Sequence, residues 1–228
     1  MDPADLDFFR VPVGKGARVV SARLDGVPGI DLVLELFDAQ GRRLAKSDVH
    51  GRGGGEWIQP TSIGPTEAFI SVREMWVQGQ KPTEAPNDPY TLTVTWGPPK
   101  TGWEIEPNDW EEAATPVLPG TSMRGYLGDA EDKDWFVIVP ATTGTMRVHV
   151  TAPDGVDIAL LHDGAPKRGT NKGGPGDAEE TILEVSAGKP VVVGIERKVP
   201  CGNLKDADLG GFDSPYELEA RMEPKTSP

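Results

Sequence analysis

Cysteine is almost missing from this chain: Cys201 is the single one among 228 residues. One thiol excludes an internal disulfide framework, although it does not choose a compartment, since many exported bacterial proteins manage without disulfides. Histidine is scarce as well. His50, His149 and His162 are scattered, with no second His at a metal-ligand spacing, which argues against zinc. His149 alternates with apolar neighbours and reads as a surface or boundary residue. No apolar run approaches the roughly 20 residues of a membrane helix, and Met1-Asp2-Pro3-Ala4-Asp5 lacks the basic and apolar regions of a signal peptide. Positive charge is in short supply: 23 basic residues stand against 36 acidic ones, for a net charge of -13. Nucleic-acid backbones and anionic membrane surfaces are therefore poor partners, and cations are better ones. A hydrolase signature is lacking too. There is no Gly-x-Ser-x-Gly elbow, and Cys201 sits in a Pro-Cys-Gly loop with no neighbouring His, so it reads as a free thiol or a loop packing residue.

What the chain does have is punctuation. With 28 Gly, 22 Pro and 37% hydrophobic residues in short runs, the composition favours many short strands. Laid over itself, the sequence repeats. Asp5-Leu6-Asp7-Phe8-Phe9 matches Asp132-Lys133-Asp134-Trp135-Phe136, and Gly29-Ile30-Asp31-Leu32-Val33-Leu34 matches Gly155-Val156-Asp157-Ile158-Ala159-Leu160. Ala68 to Val72 matches Val191 to Ile195, and Pro89-Tyr90-Thr91-Leu92 matches Pro215-Tyr216-Glu217-Leu218. Four blocks in one order predict two copies of one fold, all-β, each a jelly-roll-like antiparallel β-sandwich. In the first copy strands are expected over residues 7–13, 17–24, 30–38, 67–75 and 90–96. In the second they are expected over 135–140, 145–151, 156–162, 181–185, 190–196 and 216–221. Leu32, Leu34 and Leu36 share one face, and Thr91 and Thr93 face away from Tyr90, Leu92 and Val94, so one face is dry and one wet.

The prolines of Gly97-Pro98-Pro99-Lys100-Thr101-Gly102 cannot continue a ladder, which places the boundary between a first domain, 1–98, and a second, 99–228. The second opens with Glu104-Ile105-Glu106-Pro107-Asn108-Asp109-Trp110-Glu111-Glu112, where Asn108 or Asp109 is placed to cap a brief helical turn. The first copy has no such segment, since Met1 lies only a few residues before its Asp-x-Asp. This implies a fragment whose upstream sequence has been removed.

Glu-x-Glu-Pro-Asn-Asp, the Gly125-Tyr126-Leu127 strand and the Asp-x-Asp-aromatic-Phe block together resemble the bacterial pre-peptidase C-terminal domain family. The resemblance spans nearly all of both copies and is stronger in the second. It implies a β-sandwich appended to an exported bacterial protein, hence a secreted, periplasmic or cell-surface location. The collagen-binding domains of clostridial collagenases are similar and bind calcium. By that resemblance Glu104, Glu106, Asn108, Glu131, Asp132 and Asp134 are the positions expected to coordinate the ion. The residues themselves allow it, because Glu104, Glu106 and Asn108 alternate along an extended segment and point to one side, and calcium takes six to eight oxygens. Where those relatives often have Ser or Thr after the Gly, this chain has Tyr126, which supplies no short hydroxyl. The other reading makes Asp132, Asp134 and Asp157 turn and edge residues whose carboxylates bond backbone N–H groups. In the first copy Asp5, Asp7 and Asp31 remain without the Glu-x-Glu-x-Asn half of the site.

Gly51 to Gly55 and Gly169 to Gly176 lack a Gly-Lys-Ser/Thr ending and read as mobile hairpin loops rather than phosphate cradles. The long stretch from Lys198 to Ser214, with Asp206, Asp208 and Asp213, is the candidate for partner contact or a second cation, against the alternative of a solvated loop. Trp135 corresponds to Phe8 and is expected to fill the core. Trp57 and Trp76 have no aromatic counterparts in the other copy and are candidates for exposed contact residues. Collagen binding is not carried over, because the second copy has Val191 to Ile195 where such a platform would lie. The function expected is a non-catalytic, calcium-stabilised module that attaches an exported protein to a protein or extracellular polymer. A ligand-free structural spacer of a cell-envelope complex and, least of all, a cryptic hydrolase are the alternatives.

Overall fold

The computed structural model describes residues 6–14, 16–75, 83, 88–128, 132–162, 168–198 and 214–224. The chain is all-β and divides into two units, one of Met1–Lys100 with Ile105–Pro107 and one of Thr101–Glu104 with Asn108–Pro228.

Unit one is a sandwich of two antiparallel sheets. One holds β1 (Leu6–Val11), β6 (Ala68–Glu74), β3 (Leu32–Asp38) and β4 (Arg43–Ser47) in that order, and the other holds β5 (Glu56–Ile63), β2 (Arg18–Leu24) and β7 (Leu92–Gly97). Val20, Ala22 and Leu24 from one sheet and Leu34, Leu36 and Ile70 from the other meet in the core. Burying such alternating faces is what drives the two sheets together. Unit two repeats the plan. Its first sheet runs β13 (Arg168–Thr170), β12 (Ile158–His162), β15 (Val191–Arg197), β10 (Lys133–Ile138) and β8 (Thr115–Val117). Its second runs β14 (Glu179–Val185), β11 (Gly144–Thr151), β16 (Tyr216–Met222) and β9 (Ser122–Gly125). Reading β10 for β1, and so on through β16 for β7, the two strand orders coincide; β8 and β9 are the additions. All ladders are antiparallel except β8 on β10.

Several local expectations need correction. Strands β4, β5, β8 and β13 lie outside the expected ranges, because β4 carries Arg43 and Lys46, β5 carries Pro60, and β8 and β13 are three residues long, and the strand expected at Gly125-Tyr126-Leu127 is β9, which ends at Gly125. The second face of β3 is not wet. Glu35 is buried there, accepting from Ser71 Oγ (3.3 Å) and Arg73 Nε (3.0 Å), because long arginine side chains lie over the sheet. The helical turn after the linker is a single 3-10 turn, Glu111–Ala113, whose N-cap is Trp110 with no side-chain bond, so neither Asn108 nor Asp109 caps it. Trp135 is buried, but against the outer face of its sheet, opposite Gly194, where an added Cβ would come within 3.0 Å of the indole. Its counterpart Phe8 is 57% exposed and rests on Phe37, 6.0 Å between ring centroids.

The two glycine-rich loops are tied down by the same device in both units. Glu56, buried at the head of β5, accepts hydrogen bonds from Ser47 Oγ (2.6 Å), Val49 N–H (3.0 Å) and His50 N–H (2.8 Å). Glu179, at the head of β14, accepts from Lys172 N–H (2.9 Å) and Gly173 N–H (2.8 Å). Donors reach both oxygens of the Glu56 carboxylate, which makes its burial tolerable, whereas in Glu179 they reach Oε1 alone and Oε2 is buried without a hydrogen bond.

Candidate metal centre

The segment ahead of β8 is extended, and residues 102–104 and 108 of it are anchored in unit two. Glu104 N–H donates to Arg124 O (2.9 Å), Arg124 N–H donates to Gly102 O (2.8 Å), and Trp135 N–H donates to Asn108 O (2.9 Å). Extended backbone alternates its side chains, and burial follows the alternation. Glu104, Glu106 and Asn108 are buried, whereas Ile105 between them is 42% exposed. Asp134, wholly buried on β10, completes the arrangement. Carboxylate oxygens of Glu104, Glu106 and Asp134 all lie within 4.8 Å of one another.

Glu104 is the best defined of these acids. Its Oε1 accepts from Tyr126 N–H (2.7 Å), and its Oε2 accepts from the Tyr216 hydroxyl and from Asn108 Nδ2 (3.4 Å). Burial pushes its pKa up to about 7 despite these donors. Burial, and the neighbouring charges of Asp134 and Glu104, push the Tyr216 phenol well above its ordinary value, so it stays a donor. Gly125 explains the Gly-x-Leu motif sterically. A Cβ there would meet Glu104 Oε2 and Tyr216 Oη at 2.2 Å each, so the carboxylate and the phenol pack directly over bare backbone. The Tyr126 ring lies on Trp103, with ring centroids 5.3 Å apart.

Of the six expected ligands, the structure brings together Glu104, Glu106, Asp134 and Asn108. The Asp132 carboxylate accepts from Gly128 N–H and is not among the three that converge. Glu131 lies outside the described residues, as do Trp76, Cys201, Asp206, Asp208 and Asp213. Trp57 is 47% exposed on the outer face of β5, its indole N–H donating to Ser21 Oγ at 3.2 Å. Asp157 accepts from Asn171 Nδ2 (3.0 Å). Asp7 accepts from the Tyr90 hydroxyl, and Asp5 lies outside the described residues. Sequence reasoning missed Tyr216, although the repeated Pro-Tyr-x-Leu block contained it, and it assigned no role to Gly125.

Among the described residues no helix is long and apolar enough to cross a membrane. No family profile matches the chain, and no curated protein does. Solved structures resemble it loosely. The N-terminal CBM22-1–CBM22-2 tandem of Paenibacillus barcinonensis Xyn10C aligns at 10% identity and a TM-score of 0.26, over 92% of this chain and 79% of that one. An anti-sigma factor domain-containing protein aligns at 12% identity and a TM-score of 0.26, over 97% and 79%. A protein of Eubacterium rectale described as secreted aligns at 7% identity and a TM-score of 0.23, over 96% and 69%. Likenesses this loose carry no argument about ligand or activity, and the site has to be read from its own residues.

Proposed function

We propose that the chain is a non-catalytic binding module of an exported protein, stabilised by a calcium ion held by Glu104, Glu106, Asn108 and Asp134. One observation carries the calcium reading: three buried carboxylates converge within 4.8 Å. Charges so placed repel and resist ionisation unless a cation joins them, and an all-oxygen donor set of carboxylates and an amide suits a hard divalent ion. The four side chains reach calcium's six to eight oxygens if the carboxylates bind through both atoms or water fills the remainder. Asn108 would turn its amide oxygen to the ion. Burial of these groups also supports a structural over a catalytic role, since a polymer substrate does not reach them.

The resemblance of the Glu-x-Glu-Pro-Asn-Asp and Asp-x-Asp-aromatic-Phe blocks to pre-peptidase C-terminal domains supports export and attachment to a larger protein. The ligand proposed is an extracellular polymer or protein, and Trp57, exposed on its sheet, is a contact residue. Thermal melting with calcium and then with chelator tests the reading. A rise of several degrees, lost in Glu106→Gln and Asp134→Asn, is expected from a ligand held only by the folded state. Identical melting in both solutions, with no heat of binding in calorimetric titration, refutes it.

A further inference from the structure

The two copies dress one sheet face in different chemistry. In unit one Val20, Ala22, Leu24, Ile58 and Val94 turn toward the core. Alternation therefore sets Ser21 and Arg23 of β2, Trp57 and Gln59 of β5, and Thr93 and Thr95 of β7 on the outside of their three-stranded sheet. Trp57, Arg23 and Thr93 form one row across the strands, and Ser21 and Thr95 form the next, with Gln59 in the bulged stretch beside Ser21.

In unit two Val148 lies between Thr181 and Ala220, as Ala22 lies between Ile58 and Val94. Glu180, His149 and Glu219 thus take the places of Trp57, Arg23 and Thr93, and Arg147 and Arg221 those of Ser21 and Thr95. That face is closed on itself by charge. Arg147 pairs with Glu180 (2.5 Å) and with Glu223, His149 Nδ1 lies 3.7 Å from a Glu180 oxygen, and Arg221 Nε donates to Glu219 (2.6 Å).

Among the described residues, unit one has no such closure. None of its six face residues is acidic, in a chain of net charge -13. The side chains of Arg23, Gln59, Thr93 and Thr95 make no hydrogen bond or ion pair among the described residues. Trp57 is 47% exposed and yet held: its indole N–H donates to Ser21 Oγ (3.2 Å), and that hydroxyl donates to Ile58 O (3.0 Å). With its one polar atom satisfied, the ring offers an aromatic surface fixed in place. A strand added at the sheet edge does not cover such a face. In unit two β9 extends the sheet beyond β16, and the Arg147 and His149 side chains keep 43% and 40% exposure.

We infer that this face of unit one binds a neutral polysaccharide, an assignment that rests on the binding-module reading and names its ligand class. A pyranose ring has apolar C–H faces, which stack on an indole, and a rim of hydroxyls, which need partners that both donate and accept. Trp57 meets the first need. The hydroxyls of Thr93 and Thr95 and the amide of Gln59 meet the second, and Arg23 adds donors. A protein partner calls for clustered apolar anchors, whereas here one indole stands among small polar groups. A polyanion calls for several cations, and the face has one. Three strands at about 4.8 Å spacing make it about 10 Å wide, room for a stretch of glycan chain.

The test is calorimetric titration of the full chain with cellohexaose, xylohexaose and mannohexaose, beside a hexamer of galacturonic acid, each in calcium and in chelator. Saturable binding of a neutral hexasaccharide is expected, unchanged by chelator and by salt. Trp57→Ala should weaken it about tenfold, as truncation of a central aromatic does, and Arg23→Ala about fivefold, as loss of one hydrogen bond does. Trp57→Glu, which sets unit two's residue beside Arg23, should abolish it. Unchanged far-ultraviolet circular dichroism in all three variants shows the sheet intact. Neutral-glycan binding that survives Trp57→Ala and Arg23→Ala overturns the assignment while leaving the chain a binding module by another surface. Preference for the galacturonate hexamer, fading with salt, overturns the neutral class. Absence of saturation by any of these at millimolar concentration overturns the assignment too, and leaves a protein as the ligand of the module.

Discussion

Titrating the chain in chelator from about pH 5 to about pH 8 isolates the Glu104 carboxyl through the linkage of stability to proton binding. Its pKa rises from 4.5 to about 7 on folding because it is buried. The folded state therefore holds a proton that the unfolded chain has released, and stability is greatest below the unfolded value and falls as pH rises through the folded one. One pKa unit corresponds to about 1.4 kcal/mol, so integrating over this range gives a loss of about 2.5 kcal/mol. For a unit of this size that lowers the melting temperature by about 10 °C. Glu180, paired with Arg147, and Glu217, beside Ser122 and Arg124, have lowered pKa values, so their contributions are lost only at lower pH, outside this window. The assay is scanning calorimetry of the full chain beside Glu104→Gln, which keeps one acceptor oxygen and the shape of the protonated acid and cannot titrate. Subtracting the two curves removes the groups that do not interact with Glu104, Asp31 among them, whose pKa burial also raises. Excess calcium should reverse the sign, since it binds the ionised site. A variant that keeps the wild-type slope, or a wild-type chain that gains stability between these pH values in chelator, would refute the assignment.

Further tests bear on neighbouring features. Gly125→Ala should destabilise unit two by about 2–3 kcal/mol and remove the calcium response, because the new methyl displaces Glu104 and Tyr216; urea midpoints read the first and titration the second. Tyr216→Phe takes one donor from a buried carboxylate and should cost about 1–2 kcal/mol in calcium-free urea melts. Glu56→Ala leaves two backbone N–H groups and the Ser47 hydroxyl unanswered, and should lower unit one's denaturation midpoint by about 2–4 kcal/mol in free-energy terms. Trp57→Ala, on an exposed face, should leave stability within about 0.5 kcal/mol while weakening ligand binding.

How much of this was legible beforehand depended on whether a signal was local. The strand around Met146 to Val150 follows from alternation, which the sheet converts directly into burial, whereas Leu32 to Leu36 was legible as a strand but not in its burial, since Val33 and Glu35 on its other face are buried too. Glu104, Glu106 and Asn108 were legible for the same reason: period two on an extended segment puts them on one side. Asp134 needed the repeat and the family resemblance to join them. Tyr216 and Gly125 were not legible as site residues, because their roles depend on β9 and β16 pairing 91 residues apart, Gly125 opposite Tyr216. The Glu56 and Glu179 ties escaped because a glutamate heading a polar strand looks like surface until the loop folds back onto it. Phe8 misled because its counterpart's burial comes from cover that the sequence of its own strand does not encode.

The Trp135–Gly194 contact has a consequence for folding fidelity. Neighbouring copies with one strand order risk exchanging strands while they fold. In register, β1 sets Phe8 against Ser71 of β6, and β10 sets Trp135 against Gly194 of β15. Were β10 to take the place of β1 beside β6, its indole would meet the Cβ and hydroxyl of Ser71 where it needs bare backbone. Were β1 to take the place of β10, the smaller Phe8 would leave a gap above Gly194. The divergence between the copies thus makes each exchanged pairing a poorer steric fit than the native one.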